Sequence, residues 1–453
     1  MLSTAQQAPR VQIVNTASLR GQMSSLVSLP EEAEALDDAA RTLPVDKETL
    51  RRCVGDEEPF IADVWGKRAQ VVTQGIPASD LIDVSDIDRM LTSQPLLRAE
   101  LIRLVRKGDI LPRGSYLRSL REVYPRPVDH RMTEVERTFE DLTHGIASPA
   151  EVTAAVRGGA TLILQSAHWY HPPLTAFCRS LELALGHRCR ANIYLTPGSA
   201  QGFGLHSDPH DVFVLQAFGE KNWHLEATPW ERQHRMEPGL TDLVLRPGDV
   251  LYMPQGTPHR AHTQSGQSGH VTISVTSNTW RDVLRTSLLE LLEESLPAEQ
   301  LDAELPVGWL HDRGSTTGPT ERLMAGLRTV LDDADSERIR SAHLRTFLTE
   351  LTDRIPGAFA TDHTLGFFGV NDTTRLRRQE TVPCALFRQP ETRRLHVVLG
   401  RRTVTVPDHF GSAVRHIAAC GEFQPQDLSF ALDVSERLEL CQALVDAHLL
   451  LLA

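Results

Sequence analysis

The chain is poor in lysine and in aromatic residues, and it has no long apolar run. Its six cysteines, Cys53, Cys178, Cys189, Cys384, Cys420 and Cys441, form no CxxC pair. Thiolate zinc sites are built from such pairs, so a zinc ribbon or finger is excluded and buried reduced thiols are expected. No stretch reaches the about eighteen apolar residues that span a bilayer as a helix. Residues 1–22, "MLSTAQQAPRVQIVNTASLRGQ", lack the apolar core of a signal peptide, so a cytoplasmic location is expected. The only lysines are Lys47, Lys67, Lys107 and Lys221; arginine carries the rest of the positive charge. Codon bias in a GC-rich bacterial genome accounts for that preference, yet it singles out each lysine. The formal net charge of -12 counts against a polyanion-binding protein, and nucleic acid is not an expected partner.

With 453 residues and 41% hydrophobic residues, two to four units with real cores are expected. The polar residues at the start read as an arm with little structure, followed by short amphipathic helices over "PEEAEALDDAARTL" and "DKETLRRCV". "PAEVTAAVRGG" reads as a helix closed by glycine, "ATLILQSA" as a strand, and "PPLTAFCRSLELALGH" as a helix opened by prolines and ended at Gly186. Residues 188–280 are dense in short β runs: "RCRANIYLTP", "HDVFVLQAFG", "KNWHLEA", "TDLVLRPGD", "VLYMP", "RAHTQ" and "HVTISVTS". Gly, Pro and Asn divide them, as in a barrel or sandwich. After Trp280 the apolar spacing turns helical. The tail gives strands, a hairpin at Gly400 in "RRLHVVLGRRTVTVP", and two helices, the order of a small winged helix.

One segment, "GLHSDPHDVFVLQAFGEKNWHL", sets ionisable groups beside an almost unbroken apolar run, with Gly219 and Glu220 giving a hairpin signal. In a strand, residues two apart face one side, so His206 and Asp208 project together with Cα atoms roughly 6.6 Å apart. Both can reach one metal ion. His210 shares that side if the strand continues, although Pro209 disturbs it. "GDVLYMPQGTPH" supplies a further ligand. It reads G-x5-P-x-G-x2-H with Gly248, Pro254, Gly256 and His259, the second sequence motif of the cupin barrels. His262, three residues on, would face the other way. Alone, an HxD dipeptide usually marks a surface hydrogen bond. Together with the second motif it makes a two-histidine, one-carboxylate set, the donor set of non-haem Fe(II) oxygenases. Lys221, among apolar residues in a lysine-poor chain, suits a buried anion that needs a counter-charge; the plainer alternative is a lysine that reaches back to water.

These residues resemble the Jumonji C (JmjC) cupin oxygenases, and among them the ribosomal-oxygenase group of protein hydroxylases. The likeness rests on "ANIYLTPGSAQGFGLHSDPHDVFVLQAFGEKNWHLEA", "LRPGDVLYMPQGTPHRAH" and "HVTIS". It implies an α+β chain built on a double-stranded β-helix. Residues 1–55 would form an N-terminal arm and short helices, 56–280 the catalytic barrel, 281–358 a helical dimerisation region and 359–453 a winged helix. It also implies Fe(II) held by His206, Asp208 and His259, with 2-oxoglutarate as co-substrate and O2 as oxidant. Lys221 would pair with the distal carboxylate of 2-oxoglutarate, Asn192 and Thr272 would line its pocket, and Tyr194 and Ser274 would contact the substrate. Pro209 and His210 stand where the family often has an acidic pair, which bears on substrate identity.

The expected activity is therefore Fe(II)- and 2-oxoglutarate-dependent hydroxylation of a protein or peptide side chain, with a ribosomal protein as the favoured substrate and a homodimer as the working form. Hydroxylation of a biosynthetic peptide or small molecule, demethylation of N-methyl lysine, and a degenerate barrel used for binding or assembly are the alternatives.

Overall fold

The computed structural model describes residues 10–16, 47–77, 80–92, 97–119, 145–200, 202–263, 266–305, 307–308, 310–311, 313–334, 336–351, 357–389 and 392–453. The helix expected over residues 30–43 lies outside them. The chain divides into two compact units, Asp46–Ser277 and the combination of Met1–Val45 with Asn278–Ala453. Its first strand, β1 (Gln12–Asn15), belongs to the second of these.

The unit Asp46–Ser277 is a β structure with helices packed into its larger core. Its strands are β2 (Gln70–Val72), β3 (Ile102–Arg106), β4 (Asp109–Ile110), the short pair β5 (Leu117–Arg118) and β6 (Ile146–Ala147), β7 (Thr161–Leu164), β8 (Arg188–Thr196), β9 (Asp211–Phe218), β10 (Lys221–Leu225), β11 (Asp242–Leu245), β12 (Val250–Met253), β13 (His259–His262) and β14 (Ser268–Thr276). The seven β runs read from the sequence between residues 188 and 280 correspond to β8 through β14. An eight-stranded sheet runs β2-β12-β9-β14-β8-β7-β3-β4, and a three-stranded sheet runs β11-β10-β13.

The apolar run of β9 is explained by burial on both faces. Phe213, Leu215 and Ala217 join the large core shared with the helix Pro172–Leu185, through Leu174, Phe177 and Leu181. Val212 and Val214 turn the other way and pack with Trp223, Leu225, Leu245, Leu251 and Met253 from the three-stranded sheet and β12. A strand covered on both sides shows no alternation in its sequence. Fully burying each such side chain contributes about 1.5–3 kcal/mol.

Gly219 and Glu220 do not close a hairpin. β9 and β10 lie in different sheets, so Gly219 carries the chain from one to the other. It does so at φ +63°, and a Cβ there would stand 2.0 Å from the Gln267 carbonyl oxygen. Only glycine fits such a corner.

The second unit holds the helices Trp280–Ser295, Arg313–Asp333 and Ser336–Glu350, a four-stranded sheet and a three-stranded sheet. Its remaining strands are β15 (Leu376–Arg378), β16 (Ala385–Gln389), β17 (Arg394–Leu399), β18 (Arg402–Pro407), β19 (Glu422–Phe423) and β20 (Leu450–Leu452). The sheets run β1-β18-β17-β16 and β19-β15-β20. Two expectations change here. Residues 12–15, read as part of an arm, form an edge strand, with Ile13 opposite Val404 and the Thr16 hydroxyl donating to the Gly400 carbonyl. The "RRLHVVLG" hairpin turns at Gly400 as expected, but both its strands lie inside the sheet, with Leu395, Val397, Leu399, Val404 and Val406 buried. It is therefore a core hairpin.

Candidate functional site

His206, Asp208 and His259 come together, but not through a regular strand. His206 forms an isolated bridge with His259: its amide donates to the His259 carbonyl at 3.0 Å and its carbonyl accepts from the His259 amide at 2.7 Å. Asp208 lies outside any strand, and its carbonyl accepts from the Gly256 amide at 2.8 Å. The chain then bends at Pro209 and His210 before β9 begins. Proline has no amide to offer a ladder, so the strand cannot extend back through it. The two sequence motifs are thus joined backbone to backbone, His206 to His259 and Asp208 to Gly256.

The side chains follow. One donor atom from each of the three residues lies within 4.8 Å of the other two. The His259 Nε2 stands 3.8 Å from Asp208 Oδ2. The His206 Nδ1 donates to the Gly204 carbonyl at 2.9 Å, and the His259 Nδ1 donates to the Thr257 carbonyl at 3.0 Å. A carbonyl oxygen only accepts, so both Nδ1 atoms carry the proton and both Nε2 lone pairs are left for a metal. Burial holds the His259 ring below the usual histidine range, which keeps it neutral, as a ligand must be. His210 and His262 stand outside the cluster. His262 pairs with Asn222, on the face of the three-stranded sheet opposite Trp223.

The three residues line a cavity of about 290 Å³ that also reaches Lys221, Tyr194 and Thr272. Lys221 is buried, and its Nζ donates to Thr196 Oγ1 at 3.1 Å and to His270 Nδ1 at 3.4 Å. Among the described residues no carboxylate pairs with it, and burial lowers its pKa to about 7. Burial, and then the Lys221 charge, push the His270 ring well below its ordinary range. Tyr194 stacks on His270 with ring centroids 4.8 Å apart, and burial raises its phenol to about 12. Trp223 also lines the cavity, and its buried Nε1 has no hydrogen-bond partner among the described residues.

Two expected residues do not line the cavity directly. Asn192 pairs with the cavity-lining Thr272 across β8 and β14, its side chain hydrogen-bonds Tyr194, and its Oδ1 accepts from the Ser166 amide at 2.9 Å. Ser274 is buried on the same face of β14 as Thr272 and pairs with the cavity-lining Val212, but it does not itself line the cavity. Arg103, Thr161, Phe203 and His270 line the cavity without having been anticipated. His270 was within reach of sequence reasoning, because it lies two residues from Thr272 and so on the same strand face. Arg103 and Thr161 come from β3 and β7, far upstream, and nothing local marks them.

Residues 173–283 match the JmjC domain family model. Among curated proteins, ribosomal oxygenase 2 of Rattus norvegicus is 32% identical over 191 residues, covering 40% of this chain and 41% of that protein. A Culex quinquefasciatus protein named bifunctional lysine-specific demethylase and histidyl-hydroxylase NO66 is 27% identical over 281 residues, covering 58% and 39%. The chain thus spans about two fifths of the length of these relatives. Among solved structures, the Escherichia coli ribosomal oxygenase YcfD aligns over 88% of this chain and 98% of its own, with 16% identity and a TM-score of 0.48.

Proposed function

From the match of residues 173–283 to the JmjC domain model, we propose that this chain is an Fe(II)- and 2-oxoglutarate-dependent oxygenase that hydroxylates a side chain of a protein or peptide. The observation that carries this reading is one cavity with a two-histidine, one-carboxylate cluster and a buried lysine that, among the described residues, has no carboxylate partner.

The residues fit both groups. Two neutral imidazoles and one carboxylate, with no thiol among them, suit Fe(II) and leave coordination positions open. A buried ammonium and the orphaned Trp223 Nε1 are donors in want of acceptors, which a dicarboxylate provides. When bound, iron with 2-oxoglutarate and O2 supplies the oxidation of a substrate C–H bond to C–OH, with succinate and carbon dioxide released.

The chain's own residues prepare for this. Gly204 and Thr257 carbonyls orient the two imidazoles, and the Gly256 amide holds the Asp208 backbone in place. Lys221 pairs with the distal carboxylate of the co-substrate, and Thr272 and Tyr194 flank it. Val212, Val214, Trp223 and Met253 keep that end of the cavity apolar and short of water. His206 stays exposed, so a side chain can approach the cluster from solvent.

A segment of a ribosomal protein is the proposed substrate. The names of the relatives support this, and a net charge of -12 favours basic extended segments. Intact-mass measurement of ribosomal proteins from cells with and without this chain tests it: one protein should gain a single oxygen atom. Offering basic peptides beside free amino acids provides the counter-test, since oxygen added only to a free amino acid would favour a small-molecule hydroxylase.

A further inference from the structure

The reading above gives Arg103 no task, although it lines the cavity. Arg103 pairs with Ile163 across β3 and β7, Ile163 with Tyr194, and Tyr194 with His270. Directly paired residues point to one face of a sheet. Arg103, Tyr194 and His270 therefore form a row across the barrel wall, and the Lys221 Nζ stands beside its β8 and β14 members, 3.1 Å from Thr196 and 3.4 Å from His270. Three strand spacings, roughly 14 Å in all, separate the Arg103 and His270 backbones. Lys221 thus keeps to the Thr196 and His270 side of the cavity, whereas Arg103 belongs to β3, at the other end of the row.

The Arg103 guanidinium lies over the Phe203 ring at 5.8 Å, and that ring is 5.4 Å from His206. Arg103 is thus on the side of the exposed member of the cluster. Its Nε is buried without a partner, and no carboxylate among the described residues pairs with it. Once a divalent ion and a dicarboxylate are bound, Asp208 and Lys221 leave one positive charge over, on Arg103. A half-buried guanidinium at the cavity wall with no paired counter-charge among the described residues suits an anion, and its planar fork matches a carboxylate with two parallel hydrogen bonds.

We propose that Arg103 is a specificity-determining residue that receives a carboxylate borne by the substrate, so that segments with an acidic group beside the oxidised residue are preferred. This rests on the hydroxylase reading and narrows it: a basic segment is drawn by the net charge, and one acidic group sets its register.

The test uses the full chain with Mn(II) and 2-oxoglutarate under argon, so that binding is read without turnover. The probes are nine-residue Gly/Ser peptides with a central His or Arg, and a Glu moved through the flanking positions, each beside its Gln twin. Wild type should bind the Glu peptide about tenfold more tightly at one position. Arg103→Gln should erase that difference and Arg103→Lys should restore part of it. Calorimetric 2-oxoglutarate affinity should stay unchanged in Arg103→Gln and be lost in Lys221→Ala. Equal binding of the twins, no binding at any position, or a Glu preference that survives in Arg103→Gln overturns the proposal. So does a loss of 2-oxoglutarate affinity in Arg103→Gln, which would assign Arg103 to the co-substrate. If 2-oxoglutarate fails to bind even wild type, the hydroxylase reading falls separately, and the Glu and Gln twins still report on Arg103 in the Mn(II)-loaded chain.

Discussion

Replacing Lys221 with methionine should make the ligand-free protein more stable while removing co-substrate binding. Burial lowers the Lys221 pKa from 10.5 to about 7. At 1.36 kcal/mol per pH unit, holding the ammonium charged inside the barrel costs about 5 kcal/mol at pH 6. Methionine has similar length and no charge. Against the relief stand the hydrogen bonds to Thr196 and His270, each contributing about 0.5–1.5 kcal/mol. Lys221→Met should therefore gain about 2–4 kcal/mol at pH 6. The unfolded lysine stays protonated up to 10.5, while the folded one loses its proton near 7. Between these values the unfolded state binds more protons, so wild-type stability rises with pH. By pH 9 about 3 kcal/mol of the penalty is gone and the variant's advantage has nearly vanished. Urea unfolding of the metal-free chain at both pH values measures this, with hydrogen exchange of β9 and β14 peptides reporting on the barrel unit alone. A variant less stable than wild type at pH 6, or a difference independent of pH, would refute the reasoning.

Further outcomes are expected. His206→Ala, Asp208→Ala and His259→Ala should each abolish stoichiometric Mn(II) binding in calorimetry while the fold survives, and His210→Ala and His262→Ala should keep it; loss with His210→Ala and retention with His206→Ala would reverse the ligand assignment. Tyr252→Phe should cost about 1–3 kcal/mol in urea unfolding, because the hydroxyl donates to buried Asp211 at 2.6 Å and accepts from the Gly66 amide at 2.8 Å. Leu284, Leu289, Leu323 and Leu331 are exposed on the helices after Trp280, so light scattering at micromolar concentration should give twice the chain mass; a monomer would remove the dimer proposal.

The cluster was legible because its chemistry is local. His206 and Asp208 lie two residues apart, and His259 closes a motif whose proline and glycines mark its turns. The geometry that unites them was not. A strand was expected to present His206 and Asp208 on one face, whereas Pro209 breaks that strand and a backbone bridge to His259 replaces it. Lys221 stood out because lysine is scarce, while Arg103 was hidden because arginine is this chain's usual cation. Gly219 was read as a hairpin turn, since a sequence shows that a turn occurs but not that the next strand enters another sheet. β1 was missed because four residues of alternating burial leave a faint pattern, and its partner lies almost four hundred residues away.

The central claim is that one cavity joins an Fe(II) site to a 2-oxoglutarate site, and release of succinate tests it most directly. The full chain is loaded with Fe(II), given 2-oxoglutarate and air, and succinate is measured by mass beside Asp208→Ala and Lys221→Ala. Wild type should form succinate only when Fe(II) is present, Asp208→Ala should form none, and Lys221→Ala should need far more 2-oxoglutarate. Succinate formed equally by wild type and Asp208→Ala, or an unchanged 2-oxoglutarate requirement in Lys221→Ala, would contradict the account.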